Sequence, residues 1–159
     1  IKTRDINPSF LTPNGLDEVE FLFSSNPGLP LRPLEMVVSG GELSRIYLAF
    51  RSLLKEKKGV QTLIFDEIDT GIGGETAIRV GEKLKKLSQE VQIFCITHLP
   101  QIVRFADHHF IVEKLLGEKG SITTVREIKG EERLKELARM LGDANNLDLA
   151  EKFLAGKSL

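Results

Sequence analysis

The chain has 159 residues, 41% of them hydrophobic, and 22 Lys and Arg against 23 Asp and Glu. That length supports one core of ordinary size, and the charge balance excludes a chain-wide basic surface for nucleic acid, leaving only local patches. Cys95 is the one cysteine, which excludes an internal disulfide and fits a reducing compartment, and no apolar run approaches the roughly 20 residues of a membrane span.

Residue 1 is Ile rather than a natural start residue, so the sequence reads as a fragment or a processed product, with no signal-peptide pattern. Residues 1–15 carry Pro8, Pro13 and the Asn14-Gly15 pair and read as loop and turn. From Glu18 to Phe23 the pattern roughly alternates, with Val19, Phe21 and Phe23 on one side, which predicts a half-buried strand. Residues 26–34 hold three prolines and a glycine, a stiff non-helical connector. Leu43, Ile46, Tyr47, Phe50, Leu53 and Leu54 recur at helical spacing and predict an amphipathic helix ending near Gly59. Residues 62–65 then form a short, largely apolar run that stops at two acids, the pattern of a buried parallel strand.

Ala77, Val80, Leu84 and Leu87 mark a second helix, and residues 91–96 a second buried strand with Cys95 as a small core residue. The runs 110–115 and 121–128 are β-prone and flank Gly117-Glu118-Lys119-Gly120, predicting a hairpin near whose start His108 and His109 are ordinary residues. Leu134, Leu137, Ala138 and Leu141 predict a helix closed by Gly142, and residues 147–154 one more. Strands alternating with helices indicate an α/β fold: a mainly parallel sheet with flanking helices, then a C-terminal β-hairpin plus helices. A single domain is expected over 1–159, with a loop at 1–15, an α/β lobe at 16–128 and C-terminal helices at 129–159.

Three short motifs carry chemistry. Ser39-Gly40-Gly41-Glu42 stands directly before the first long helix and reads as a capping box, with Ser39 at the N-cap and Glu42 three residues on. Two glycines in a first turn each cost up to ~1 kcal/mol relative to alanine. A second reading is therefore that they bare backbone N–H groups at a positive helix end for a close anion, phosphate above all. Asp66 and Glu67 end the first buried strand, where ligands of open α/β sheets sit. They are either solvated acids or a working pair, Asp66 holding Mg²⁺ and Glu67 activating a water for phosphoryl transfer. His98, in Thr97-His98-Leu99-Pro100-Gln101 after the second strand, is either a structural loop histidine or a group that meets a terminal phosphate or the attacking water. If the strands are neighbours, it shares an edge with the two acids. No Cys/His cluster has zinc spacing.

The order of these motifs over residues 39–98 resembles the C-terminal lobe of ATP-binding-cassette ATPases. Residues 26–34 leading into Ser39–Arg45, the run 65–74 and the run 95–101 are similar to the chromosome-maintenance branch, and within it to the RecN-like family. With them the resemblance spans residues 16–142. Transporter cassettes usually place Pro after the acids, where Ile68 stands here. On this resemblance Ser39, Gly40, Gly41 and Glu42 are the signature motif, Asp66 the metal ligand, Glu67 and His98 the catalytic pair. Asp69, Thr70 and Gly71 open a D-loop over 69–74 that contacts the nucleotide. The aspartate common in such loops falls where Gly73 stands, and Asp69 is expected to cover part of its role.

The Gly-rich phosphate loop is missing: Gly156-Lys157-Ser158 has Glu151 where the first glycine belongs, a helix before it and no room for one after. The resemblance implies ATP and Mg²⁺ shared with an N-terminal lobe of the same protein across a coiled coil, and a second copy of the head in a homodimer. It also implies DNA as the partner in double-strand-break repair, a cytoplasmic, nucleoid-associated setting, no membrane, and no hydrolysis by this stretch alone. Two alternatives remain open: a nucleotide-gated DNA clamp in which hydrolysis is incidental, and a stand-alone α/β interaction domain. Lys83, Lys85 and Lys86 read as a solvated helix face rather than a DNA patch.

Overall fold

The structure is a computed structural model that describes residues 13, 15, 19–24, 28–54, 62–117 and 120–156. The chain divides into two compact units, Ile1–Ser39 and Gly40–Leu159. In the first, Glu18 of the strand expected over 18–23 lies outside the described residues, and of 19–23 two residues are strand: β1 (Leu22–Phe23) pairs antiparallel with β2 (Arg32–Pro33). Pro33 has no N–H to extend the ladder, and the short helix α1 (Leu34–Val37) follows at once. The backbone N–H of Leu34 donates to the Phe21 carbonyl at 2.8 Å, closing this small unit. Most of the loop expected at 1–15 lies outside the described residues.

The second unit opens with α2 (Gly40–Leu53), and the helix end expected near Gly59 lies outside the described residues. Its apolar stripe behaves differently from the pattern's usual meaning. Leu43, Tyr47, Phe50, Leu53 and Leu54 are exposed, while Gly41 and Leu48 on another side are buried. The helix docks by that second side, which also carries Ser44 and Arg45.

Next come β3 (Thr62–Phe65), α3 (Gly74–Leu87) and β4 (Gln92–Cys95). β3 and β4 are parallel, with Phe65 opposite Cys95, and α3 is the crossover that joins them. Leu63 and Phe65 turn inward onto Ala77, Val80, Leu84 and Leu87 of α3, the stripe that the spacing predicted. Leu48, Ile68 and Ile102 complete this core, and Ile93 and Cys95 are among the residues that pack against it. The opposite face of the pair is open, with Ile64 at 69%, Phe94 at 48% and Ile96 at 59% exposure. These strands were expected to be buried on both faces, and among the described residues they are covered on one.

Pro100 starts the short helix α4 (Pro100–Val103), where a missing N–H costs nothing. The hairpin β5 (His109–Gly117) and β6 (Gly120–Ile128) pairs in register from His109↔Ile128 to Gly117↔Gly120. It is followed by α5 (Gly130–Met140) and α6 (Leu147–Leu154), where Asn146 caps α6 by accepting from the Leu149 N–H at 3.0 Å. Val103, Leu137, Ala138 and Ala150 form a second core under these helices. The architecture is thus α/β, but in place of the expected mainly parallel sheet the described residues form one parallel pair and two separate antiparallel pairs. No helix of those residues is long and apolar enough to cross a membrane.

α3 and α4 meet at Gly81, where a Cβ would come within 2.8 Å of a Phe105 ring carbon and 3.2 Å of the Gln101 carbonyl. Gly81→Ala should therefore lower stability by roughly 1–3 kcal/mol through overpacking, although alanine is the better helix former. Urea unfolding of the two proteins checks this.

Candidate functional site

The parallel register carries on past the strands, since the Ile96 N–H donates to the Phe65 carbonyl at 2.9 Å. Asp66-Glu67 and Thr97-His98 consequently leave the same edge of the pair. The turn after β3 is tight: Thr70 N–H donates to the Glu67 carbonyl at 3.0 Å and Ile72 N–H to the Asp69 carbonyl at 3.3 Å. Ile68 is fully buried in the core, while Asp66 and Glu67 before it are exposed. Glu67 has φ 57, the left-handed region, and among the described residues it is the one non-glycine there. That conformation costs on the order of 1–2 kcal/mol. The Glu67 N–H donating to Asp66 Oδ1 at 2.9 Å helps to hold it.

Asp69 follows Ile68 inward and is 4% exposed. Its Oδ2 accepts from the Thr97 hydroxyl at 2.6 Å and from the His98 backbone N–H at 2.8 Å, and it lies 2.9 Å from His98 Nδ1. Thr97 Oγ1 in turn accepts from the Leu99 N–H at 3.1 Å. Burial alone would raise the Asp69 carboxyl, but the Thr97 and His98 donors and the imidazole charge outweigh it and hold the group below its ordinary 3.8. The His98 side chain is 77% exposed, so its imidazole is open to solvent beside the buried Asp69 carboxylate.

The start of α2 is stitched to the same turn. Ser44 Oγ donates to the Asp66 carbonyl at 3.0 Å, and Arg45 Nη1 donates to the carbonyls of Ile68 at 3.0 Å and Thr70 at 2.8 Å. The two glycines sit at this junction. A Cβ on Gly41 would lie 2.6 Å from the Glu67 carbonyl oxygen and 3.0 Å from Thr70 Cβ. A Cβ on Gly40 would lie 2.6 Å from Glu67 Oε2. The glycines thus have an internal purpose that the sequence reading lacked: they let a helix start press onto the acid-bearing turn of its own chain.

The structure accordingly brings Gly40, Gly41, Asp66, Glu67, Asp69, Thr70 and His98 to one edge of the second unit. Gly71 is exposed at φ 74 where the turn leaves, and Glu42 is half-buried in the first turn of α2. Ser39 is the last residue of the first unit. Asp69 was expected to face a nucleotide, yet its carboxylate faces inward. Ser44, Arg45 and Thr97 were given no role in the sequence reading. The available signal was two polar residues, Ser44 and Arg45, on the side of α2 that also carries Leu48. No group of three or more His, Cys, Asp or Glu able to hold a metal occurs among the described residues. Burial first, then the Asp69 and Asp66 charges, push the Cys95 thiol up to about 12. His109 lies below the usual histidine range through burial and the charge of Arg133.

No family model matches the chain. Its relatives include the DNA repair protein RecN of Halalkalibacterium halodurans, 45% identical over 87% of this chain and 25% of that protein. The DNA repair protein RecN of Treponema pallidum is 50% identical over 84% and 24%, and that of Bacillus subtilis 41% over 91% and 25%. The chain spans about a quarter of the length of these relatives. A solved chain from work on the ATP-driven dimerization and DNA-stimulated activation of SMC ATPases covers 82% of this chain and 84% of its own, at 25% identity and a TM-score of 0.48.

The junction yields two expected outcomes. Gly41→Ala meets a backbone oxygen that cannot swing aside and should lose roughly 1–3 kcal/mol. Gly40→Ala meets the movable end of a glutamate and should change stability by less than about 1 kcal/mol; thermal unfolding of both variants separates them. The Asp69 contacts stabilise the fold fully above the ordinary carboxyl value of 3.8 and are lost as pH falls through the lower folded value. The stability gap between wild type and Asp69→Asn should then shrink as the solution is acidified below 3.8, measured by urea unfolding at several pH values.

Proposed function

The chain is a relative of the DNA repair protein RecN over most of its length, and on that basis we propose that it forms the C-terminal lobe of an ATP-binding-cassette head. One observation carries the reading. A single oxygen of Asp69 ties the acid-bearing end of β3 to the histidine-bearing end of β4, so two exposed carboxylates and an exposed imidazole share one edge.

In this reading a Gly-rich loop on an N-terminal lobe of the same protein supplies the main phosphate clamp. The open strip of Ile64, Phe94 and Ile96 supports such a companion, because an uncovered apolar sheet face calls for a covering layer. Two copies of the head enclose ATP. Each nucleotide meets the Gly-rich loop of one head and Ser39, Gly40, Gly41 and Glu42 of the other, where the N-terminus of α2 favours an anion.

Asp66 holds Mg²⁺; one of its oxygens takes the Glu67 N–H, and the exposed carboxylate suits an ion that keeps most of its waters. Mg²⁺ supplies neutralisation of the phosphate charge. Glu67 takes the proton of the attacking water, and His98 positions that water or the terminal phosphate. The Glu67 carboxylate rests on Gly40 in this structure, so engaging the nucleotide moves it away. Thr70 and Gly71 lie where the partner head approaches. The cycle of closing and opening serves repair of broken DNA in the cytoplasm.

Glu67→Gln tests the reading in a protein that carries both this chain and the Gly-rich loop. Nucleotide binding should persist, while turnover falls on the order of 10²- to 10⁴-fold. Undiminished hydrolysis would remove Glu67 from its role; lost turnover with undisturbed DNA association would favour a clamp gated by nucleotide binding.

A further inference from the structure

Arg45 has no part in the chemistry proposed above, yet its guanidinium grips the turn that carries Glu67. We propose that Arg45 is a positioning residue: through two carbonyls of that turn it holds Glu67 in the left-handed backbone that sets its carboxylate at the edge. The consequence for hydrolysis rests on the functional reading above, and the positioning rests on the contacts alone.

Glu67 stands at φ 57, a region that a residue with a Cβ leaves unless its surroundings hold it there. The grip comes from both sides. Ser44 Oγ donates to the carbonyl before Glu67, that of Asp66, at 3.0 Å. Arg45 Nη1 donates to the carbonyls after it, Ile68 at 3.0 Å and Thr70 at 2.8 Å. A guanidinium nitrogen of this kind carries two hydrogens, so one atom serves both oxygens. Ile68 is 0% exposed, which closes its carbonyl to water and makes it depend on a donor from the protein. Arg45 is that donor.

With an apolar side chain at position 45, the Ile68 oxygen is left unmet and two carbonyl dipoles converge on no donor. Turning the peptide groups of the turn relieves this, and Glu67 gains by the same movement because it leaves a disfavoured backbone. Its carboxylate goes with it, away from the start of α2, where a Cβ on Gly40 would lie 2.6 Å from Glu67 Oε2. Gly41 belongs to the same arrangement: a Cβ there would lie 3.1 Å from Arg45 Nη1, so the glycine makes room for the guanidinium as well as for the turn. A lysine ammonium has three donors and nearly the same reach, whereas glutamine stops short of the two oxygens and methionine has no donor. Arg45 acts through Glu67 and touches neither water nor nucleotide.

NMR of this chain reads the backbone directly, because the one-bond coupling between Cα and Hα separates positive from negative φ. The wild type should show the positive-φ value at Glu67, Arg45→Met and Arg45→Gln should lose it, and Arg45→Lys should keep it. A folded Arg45→Met or Arg45→Gln with the coupling unchanged overturns the proposal. So does a wild type without the positive-φ value, an outcome that requires no variant to fold. In the protein with the Gly-rich loop, Arg45→Met should lower kcat on the order of 10- to 10²-fold with KM within about threefold, and Arg45→Lys should recover most of that loss. A loss that lysine leaves uncorrected, although it restores the coupling, overturns the link from Arg45 through Glu67 to the rate. If the wild type shows no ATP turnover at all but the coupling responds as stated, the functional reading fails and the positioning of Glu67 by Arg45 stands.

Discussion

Asp69 Oδ2 receives three contacts from residues 97 and 98, and the edge of this lobe is assembled around them. Hydrogen bonds to a charged group contribute about 1.5–3 kcal/mol each, and Oδ2 accepts two of them, from the Thr97 hydroxyl and the His98 N–H. The ends of β3 and β4 are joined by this oxygen as well as by the ladder. Ile68, the neighbouring residue, plunges into the core and fixes the height of the turn. Ile68 and Asp69 are both directed inward, and Asp66 and Glu67 lie at the surface.

A second junction builds on the first. The turn over 66–70 offers three carbonyls that its own backbone leaves open, and Ser44 and Arg45 of α2 satisfy them. To bring those side chains within reach, the helix start must approach to backbone contact. Only glycine permits that at position 41, where Glu67 O and Thr70 Cβ crowd the space. The left-handed φ of Glu67 belongs to the same knot. It stores strain at the residue whose carboxylate is free to move, as functional turns often do.

Much of this was legible in the sequence. The stripe Ala77, Val80, Leu84 and Leu87 predicted α3 and its buried face, because helix and core share that period. The two strands, the hairpin and the last two helices stand near where their patterns put them. The N-terminal strand shrank to Leu22–Phe23, since a proline-bearing partner offers few ladder bonds. α2 was legible as a helix but not in its orientation. Leu43, Tyr47, Phe50, Leu53 and Leu54 of its stripe are exposed, while Ser44 and Arg45 face the lobe and bond to the turn over 66–70. The shared edge of Asp66, Glu67 and His98 followed from strand order alone. That Asp69 points inward did not, because an acid in a turn carries no sign of the donors that another segment brings to it. The glycine pair was legible as unusual, while its internal contact required coordinates.

The proposed role of this knotted edge is to meet a nucleotide held by companion lobes. Amide hydrogen exchange with and without ATP and Mg²⁺, on the protein carrying both this chain and a Gly-rich loop, tests it most directly. Protection is predicted to rise at residues 39–42, 66–71 and 97–99, with the hairpin β5–β6 unchanged. Protection confined to the hairpin or to α5 and α6, with those three segments unaltered, would contradict the account.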